Sequence, residues 1–448
     1  MNGKSWAGAG LRLLVLAALA LAAATGATTA KTATVTLPPG NSVEQWNKIA
    51  EDTVVGSGAF QIEGFQYMAY ESTAVYDAVA ALSRGDKPLL PPFRAWQGAS
   101  ADAAVAEAAY RTLVHYFPAS AQTLGAYYAE ALAAIPNGPM KLVGQKIGRV
   151  AANQELRARI DDGLVVPIGS TSTFPTLPAG PGVYRLTPPY QAPQTPWIAS
   201  MTPFVLKSAS QFMPGPPPAL SSQEWVDAFN ELKTVGGATS TVRTADQTNI
   251  AKFYTANVVR QYNGLVRSLT DARRLSVLDT ARLAAMVNVV GADAGTATLQ
   301  AKYHYLFWRP VTAIDPTSVT ADGFGPTPGF SDGNSATVEV PGWRPLLGTP
   351  NHPEYPCAHC VITSAMAQVL STFLGSPQID LDLHGFDPAG PAGNLNAVRH
   401  FATTSDLRAE VANARMWGGL HYRFSTVAGL TLGQSVATYD LAHAFGRS

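Results

Sequence analysis

Lys302 and Arg309 lie seven residues apart, at what reads as the end of a long alanine-rich helix. Seven residues is almost two turns, so both would project from one face, roughly 10 Å apart along the axis. Two cations so placed repel unless something negative sits between them. Solvated helix ends also carry Lys and Arg, but the flanking Tyr305, Phe307 and Trp308 argue against full solvation. A second group lies in the stretch from Pro350 to Ser364. Pro350, Pro353 and Pro356 set a stiff extended approach, and apolar residues at helical spacing follow (Val361, Ile362, Ala365, Met366, Val369, Leu370). A helix should therefore begin near Cys357, with His359 in its first turn. The first amides of a helix have no internal acceptor and carry the positive end of the dipole, which makes an anion site beside that histidine. The third group is Arg415, then Met-Trp-Gly-Gly-Leu, then His421. On one continuous helix these two would face different ways. The pair Gly418-Gly419 permits a bend that brings both to one pocket. Taken alone, His421 reads better as a core histidine than as a ligand.

The elements that must position these groups are helical. Ser42 to Val54, Gly64 to Leu82, Ala101 to Tyr116, Ser120 to Ala134 and Pro139 to Gly163 carry helical apolar spacing. Asp77, inside the second of these, reads as a carboxylate bonded to a neighbouring helix. From Val165 to Leu220 prolines, glycines, serines and threonines dominate and no period survives. Six aromatics in that stretch (Phe174, Tyr184, Tyr190, Trp197, Phe204, Phe212) argue that it packs onto the fold. Helices resume at Ser222 to Val235, Thr244 to Tyr262 and Asp271 to about Phe307, where Pro310 stops the last. Asp315 to Leu347 is loop-like, and the helix after Cys357 should end near Gly375. Residues 376 to 403 are loop-like with room for a short strand pair. Ser405 to Trp417 and Leu420 to Phe445 complete the set. The fold class is all-α, as two packed bundles of four-helix type with long Pro/Gly-rich loops. The halves divide at residues 31–220 and 221–448.

With 448 residues and a formal net charge of zero, the chain has a large core and no polybasic run. Nucleic acid is excluded as a partner, and any anion site must be a local cluster. Lys4 and Arg12 precede an apolar run from Leu13 to Ala24, and small residues follow to Ala30. Residues 1–30 therefore read as a signal peptide, the run being short for a membrane span. The expectation is a secreted or periplasmic protein without stable membrane association after cleavage. The two cysteines, Cys357 and Cys360, do not make a disulfide framework; as Cys-x-x-Cys they resemble thiol–disulfide motifs.

Three motifs stand in order: Lys302, six residues, Arg309-Pro310; Pro356-Cys357-Ala358-His359; Arg415, five residues, His421. The set resembles the signature shared by vanadium-dependent haloperoxidases and the type-2 phosphatidic acid and bacterial acid phosphatases. That signature is Lys-x6-Arg-Pro, Pro-Ser-Gly-His and Ser-Arg-x5-His-x3-Asp. The flanks Phe-Trp-Arg-Pro, His-Pro-Glu-Tyr-Pro and Trp-Gly-Gly-Leu-His-Tyr-Arg-Phe are closer to the haloperoxidase branch, and its bacterial secreted members look similar from Trp46-Asn47 onward. Family members fold as two four-helix bundles. The resemblance implies vanadate as cofactor, with Lys302, Arg309 and Arg415 neutralising its equatorial oxygens. Cys357 and Ala358 would line the same oxyanion. His421 would bind vanadium axially, or attack phosphorus in a phosphatase, and His359 would be the acid–base at the apical oxygen. Vanadium would act as a Lewis acid without changing oxidation state. Lys302 would polarise peroxide, a halide would attack, and hypohalous acid would leave. The partners so implied are hydrogen peroxide, a halide and a small organic substrate. Bundle faces in such families often pair, so a homodimer fits. His352 stands where algal bromoperoxidases carry histidine and the fungal chloroperoxidase phenylalanine, which leans toward bromide; the plain reading is a loop histidine bonded to backbone.

Four signature positions differ. Cys357 replaces a serine whose hydroxyl would bond the oxyanion, and a thiol donates poorly. Ala358 replaces glycine and Ala414 a serine. Ser425 replaces the aspartate that would orient the ligand histidine, a loss that weakens binding. A thiol among cations at a helix N-terminus reacts with peroxide, unless Cys357 and Cys360 close a disulfide. Besides a haloperoxidase, the residues therefore allow an acid phosphatase at the same site, a degenerate oxyanion-binding homologue, or, last, a thiol–disulfide oxidoreductase.

Overall fold

In the computed structural model, the described residues are 35–93, 98–174, 176–187, 190, 192–315, 331–385 and 397–446. The signal-peptide reading of residues 1–30 lies outside them. The described chain is helical: α1 (Ser42–Gly56), α2 (Gln61–Ala80), α3 (Ala101–Tyr116), α4 (Ala121–Ala133), α5 (Pro139–Ala158), α6 (Gln223–Val235), α7 (Ala245–Phe253), α8 (Val258–Arg273), α9 (Val277–Tyr305), α10 (Pro310–Ile314), α11 (Ala358–Leu374), α12 (Thr404–Trp417) and α13 (Arg423–His443). The only sheet among the described residues is an antiparallel pair, β1 (Gln378–His384) and β2 (Val398–Thr403).

Side-chain caps set most of these starts. Asn41 caps α1 in a reciprocal box with Glu44, and Ser100, Ser222, Thr244, Asn257, Ser276 and Thr403 cap six more helices. Two expected helices are interrupted. Thr244 to Tyr262 divides at residues 254–257, where Asn257 opens a new cap. The helix expected from Asp271 does not run on to Phe307: α8 ends there, with Arg274 left-handed at φ 51°, and α9 starts anew after Ser276. A capping side chain and a left-handed residue defeat the apolar period that runs across both breaks.

Helix α9 sits between two groups. On one side it packs on α2, which with α3 and α5 forms a layered set; on the other it meets α11 and α13, which also pack on each other and on α12. Both α2 and α9 are buried on nearly every face, which their alanines, glycines and short polar residues allow. The approach of α13 to α11 is close. A Cβ at Gly429 would stand 2.7 Å from the Cys357 carbonyl and 2.9 Å from the Cys360 Cβ. Gly433, one turn on, faces Val361 in the same way. These glycines let α13 press on the N-terminal turn of α11, which carries His359.

The proline-rich stretch after α5 wraps the fold, as its aromatics predict. Tyr184 and Trp197 are buried, and Phe174, Phe204 and Phe212 pack against the core. Asp293 of α9 accepts the Phe204, Val205 and Leu206 amides at 2.6, 2.8 and 3.0 Å. Asp77 likewise holds a loop, through the Leu89 and Leu90 amides, and not a neighbouring helix as the sequence suggests.

Candidate functional site

Lys302 projects from the last turn of α9 and is fully buried. Its Nζ donates to the carbonyls of Pro353 and Glu354, both at 2.8 Å. Arg309 is not on the same helix, contrary to the expectation from seven-residue spacing. Helix α9 ends at Tyr305, Leu306 turns left-handed (φ 48°), and Arg309 is the N-cap of the short α10. Pro310 cannot continue a helix but suits the first position of a new one. Arg309 reaches the site through a chain reversal. Its Nε donates to the His352 carbonyl at 2.9 Å, Nη1 to the Leu420 carbonyl at 3.1 Å, and Nη2 meets His352 Nδ1 at 3.0 Å. His352 Nδ1 also lies 3.2 Å from the Pro353 carbonyl, so the ring is bonded to backbone, as the plain reading has it, and meets Arg309 as well.

Helix α11 begins where the prolines and the apolar period place it. Cys357 is its N-cap, and its Sγ accepts from the Cys360 amide at 3.3 Å. Cys357 and Cys360 are joined as a disulfide, fully buried. The Val361 amide donates to the Cys357 carbonyl. Ala358 and His359 then contribute the first-turn amides that have no acceptor within the helix. His359 Nε2 is buried and, among the described residues, has no hydrogen-bond partner.

Arg415 and His421 converge because α12 stops at Trp417 and Gly419 takes φ 76°. A Cβ at Gly419 would lie 2.7 Å from that of Pro345, so this turn is reserved for glycine. Arg415 Nη1 donates to the Tyr254 carbonyl at 2.9 Å, while its Nε is buried without a partner. His421 lies before α13, not inside it, and is 1% exposed. Its Nε2 is 3.4 Å from Arg309 Nη1, and its Nδ1 is 2.8 Å from Glu354 Oε1. Behind it Trp225 packs on Trp308, Phe307 and Tyr422, and Tyr422 stacks on Phe424, a rigid aromatic wall.

Lys302, Arg309 and Arg415 are all buried here, and among the described residues Glu354 is the carboxylate that acts on Lys302 and Arg309. Burial first, then this mutual repulsion, governs the titrations. Arg415 is pushed down to about 9 by burial and by Arg309. Arg309 is pushed down to about 10 by burial, partly offset by Glu354. Lys302 is driven well below its ordinary value by burial and Arg309. His359 and His421 are held well below the usual imidazole range by burial and the same cations, so both are neutral near pH 7. Burial raises Glu354 to about 7 against the pull of Lys302 and Arg309. This excess of buried positive charge, with unused N–H or ring nitrogen at Arg415 and His359, fits a multiply charged oxyanion such as vanadate or phosphate. The site opens into a cavity of about 580 Å³ whose wall includes His352, His359, Arg415, His421, Phe60 and Tyr254.

The five charged and imidazole positions singled out in the sequence are thus brought together. Cys357 is the exception in kind: its sulfur is taken up by the disulfide and the cap. Glu354 joins them without a sequence signal of its own, because its partner His421 is 67 residues away.

Residues 282–446 match the family model described as the VCPO second helical-bundle domain. Vanadium chloroperoxidase from Curvularia inaequalis is 25% identical over 327 residues, 61% of this chain; the matched stretch spans about half, 52%, of that relative. A bacterial vanadium-dependent iodoperoxidase has the same fold, with a TM-score of 0.72 at 21% identity, covering 92% of this chain and 99% of that one. A holo-form bacterial vanadium-dependent chloroperoxidase gives a TM-score of 0.63 at 15% identity, covering 88% and 93%. The chain is thus similar in fold to bacterial vanadium-dependent haloperoxidases, and residues 282–446 carry the match to the VCPO second helical-bundle domain.

Proposed function

We propose that this protein is a vanadate-dependent haloperoxidase that oxidises a halide with hydrogen peroxide, bromide being the halide favoured by His352. The observation that carries the reading is the convergence of buried Lys302, Arg309, Arg415 and His421 with the unpartnered ring nitrogen of His359 at one site. When bound, vanadate would supply Lewis-acid activation of peroxide. Lys302, Arg309 and Arg415 would hold its negative charge, with the Ala358 and His359 amides completing the cradle. His421 would offer its Nε2 lone pair as a ligand. His359 Nε2 would take and return a proton beside the bound oxyanion, since an anion next to it raises its basicity. The disulfide supports the peroxidase reading, because it removes the thiol that peroxide would oxidise. It also supports export to an oxidising compartment, together with the apolar run near the N-terminus. The cavity suits a small organic acceptor.

The same cations and the same histidine lone pair would serve phosphoryl transfer, so phosphate ester hydrolysis is the second reading. Calorimetric titration separates binding from turnover. Orthovanadate should bind at a stoichiometry of one and be displaced by phosphate. The Arg415→Ala protein should bind at least tenfold more weakly. Wild-type protein that binds neither anion would sink both readings.

A further inference from the structure

We propose that Glu354 is the positioning residue for His421, in place of an aspartate four residues beyond that histidine, where this chain has Ser425. The inference rests on the oxyanion reading above and deepens it. The geometry is specific. Glu354 Oε1 lies 2.8 Å from His421 Nδ1 and accepts the Tyr422 amide at 3.1 Å. Glu354 and His421 are 0% and 1% exposed. As a carboxylate, Oε1 accepts from the ring as well as from the Tyr422 N–H, which puts the ring proton on Nδ1. The other end of the ring gives the same answer. Arg309 Nη1, 3.4 Å from Nε2, can only donate. His421 is therefore the Nδ1–H tautomer, with its Nε2 lone pair turned to the site.

Glu354 also ties this histidine to the cation opposite. Its carbonyl accepts Lys302 Nζ at 2.8 Å, and its amide donates to the Phe307 carbonyl at 2.9 Å, two residues before Arg309. One residue thus sets the ligand ring, the lysine and the approach to Arg309. Ser425 is fully buried, and its carbonyl accepts the Cys357 amide at 3.2 Å, so residue 425 still anchors α11.

Nitrogen-15 NMR of histidine-labelled full-length protein tests this, assigned by His421→Gln. Wild-type His421 should show a protonated Nδ1 and an unprotonated Nε2. In Glu354→Ala that signature should shift toward the other tautomer, and orthovanadate affinity should fall about 10–100-fold by calorimetry. Glu354→Gln, which keeps an acceptor of the same size, should lose less than Glu354→Ala. Adding Ser425→Asp to Glu354→Ala should recover most of both the signature and the affinity. A wild-type His421 protonated on Nε2 would overturn the proposal even if no variant folds. So would a Glu354→Ala protein with unchanged tautomer and affinity. Failure of the oxyanion reading looks different: wild-type protein would bind no vanadate while its His421 tautomer still reports on Glu354.

Discussion

At the residue scale the site is a positive charge cluster that the fold has taken out of water. Burying a charge is costly unless it is paired, and Lys302, Arg309 and Arg415 are buried with hydrogen bonds to backbone carbonyls and no carboxylate bonded to any of them among the described residues. Because His421 is the candidate ligand and nucleophile alike, His421→Ala should abolish both halogenation and phosphate ester hydrolysis while circular dichroism stays native. Full activity in that variant would refute the site. Arg415→Ala, which removes one donor to the oxyanion, should lower kcat about 10²–10³-fold. Cys357→Ser with Cys360→Ala keeps a capping atom, leaves no thiol for peroxide to oxidise, and should leave peroxidase turnover unchanged. If halogenation is lost, the disulfide takes part in the chemistry. Most of these residues were legible in the sequence, because oxyanion chemistry needs several fixed cations and two imidazoles, and their order along the chain is a pattern. Glu354 was not, since a carboxylate acquires its role from what folding sets beside it.

At the element scale the site depends on where helices stop. The apolar periods locate the helices well, and the caps at Cys357 and Gly375 bracket α11 as expected. Local breaks escaped. Nothing in the run before Leu306 announces a left-handed residue, so Lys302 and Arg309 read as one helix face. The structure brings them together through a reversal instead, which lets Arg309 face His352 and His421 at once. Close packing of α13 on α11 holds the cradle. A Gly429→Val substitution should therefore cost about 1–3 kcal/mol from overpacking and lower the melting temperature. It should also weaken vanadate binding, although residue 429 touches no ligand. A variant with lowered stability and unchanged affinity would mean that α11 tolerates the displacement.

At the scale of the whole molecule, net charge is zero and the anion site is a local exception. An anion that binds only the folded state should raise stability by about 2.7 kcal/mol at a hundredfold excess over its Kd, seen as a melting temperature that climbs with orthovanadate. A second, opposite dependence lies outside the site. Glu155 of α5 is fully buried, its oxygens have no hydrogen-bond partner among the described residues, and Arg159 Nε stands 3.7 Å away. Burial raises its carboxyl from 4.5 to about 8. The folded state thus prefers the neutral form, so stability is fullest below about pH 4.5 and is lost as pH rises through about 8. Glu155→Gln should flatten that slope, raising the melting temperature at pH 8.5 more than at pH 5. Equal shifts at both pH values would contradict it.

If the cluster around His421 holds vanadate and the protein so loaded oxidises a halide, one assay reads both. Purified protein should be assayed for peroxide- and bromide-dependent halogenation of a dye, before and after orthovanadate is added. Activity should appear only with vanadate and be suppressed by phosphate. Folded protein that binds vanadate yet halogenates nothing, with bromide or iodide, would contradict it. Hydrolysis of a phosphate ester by the same sample would then assign the site to phosphoryl transfer.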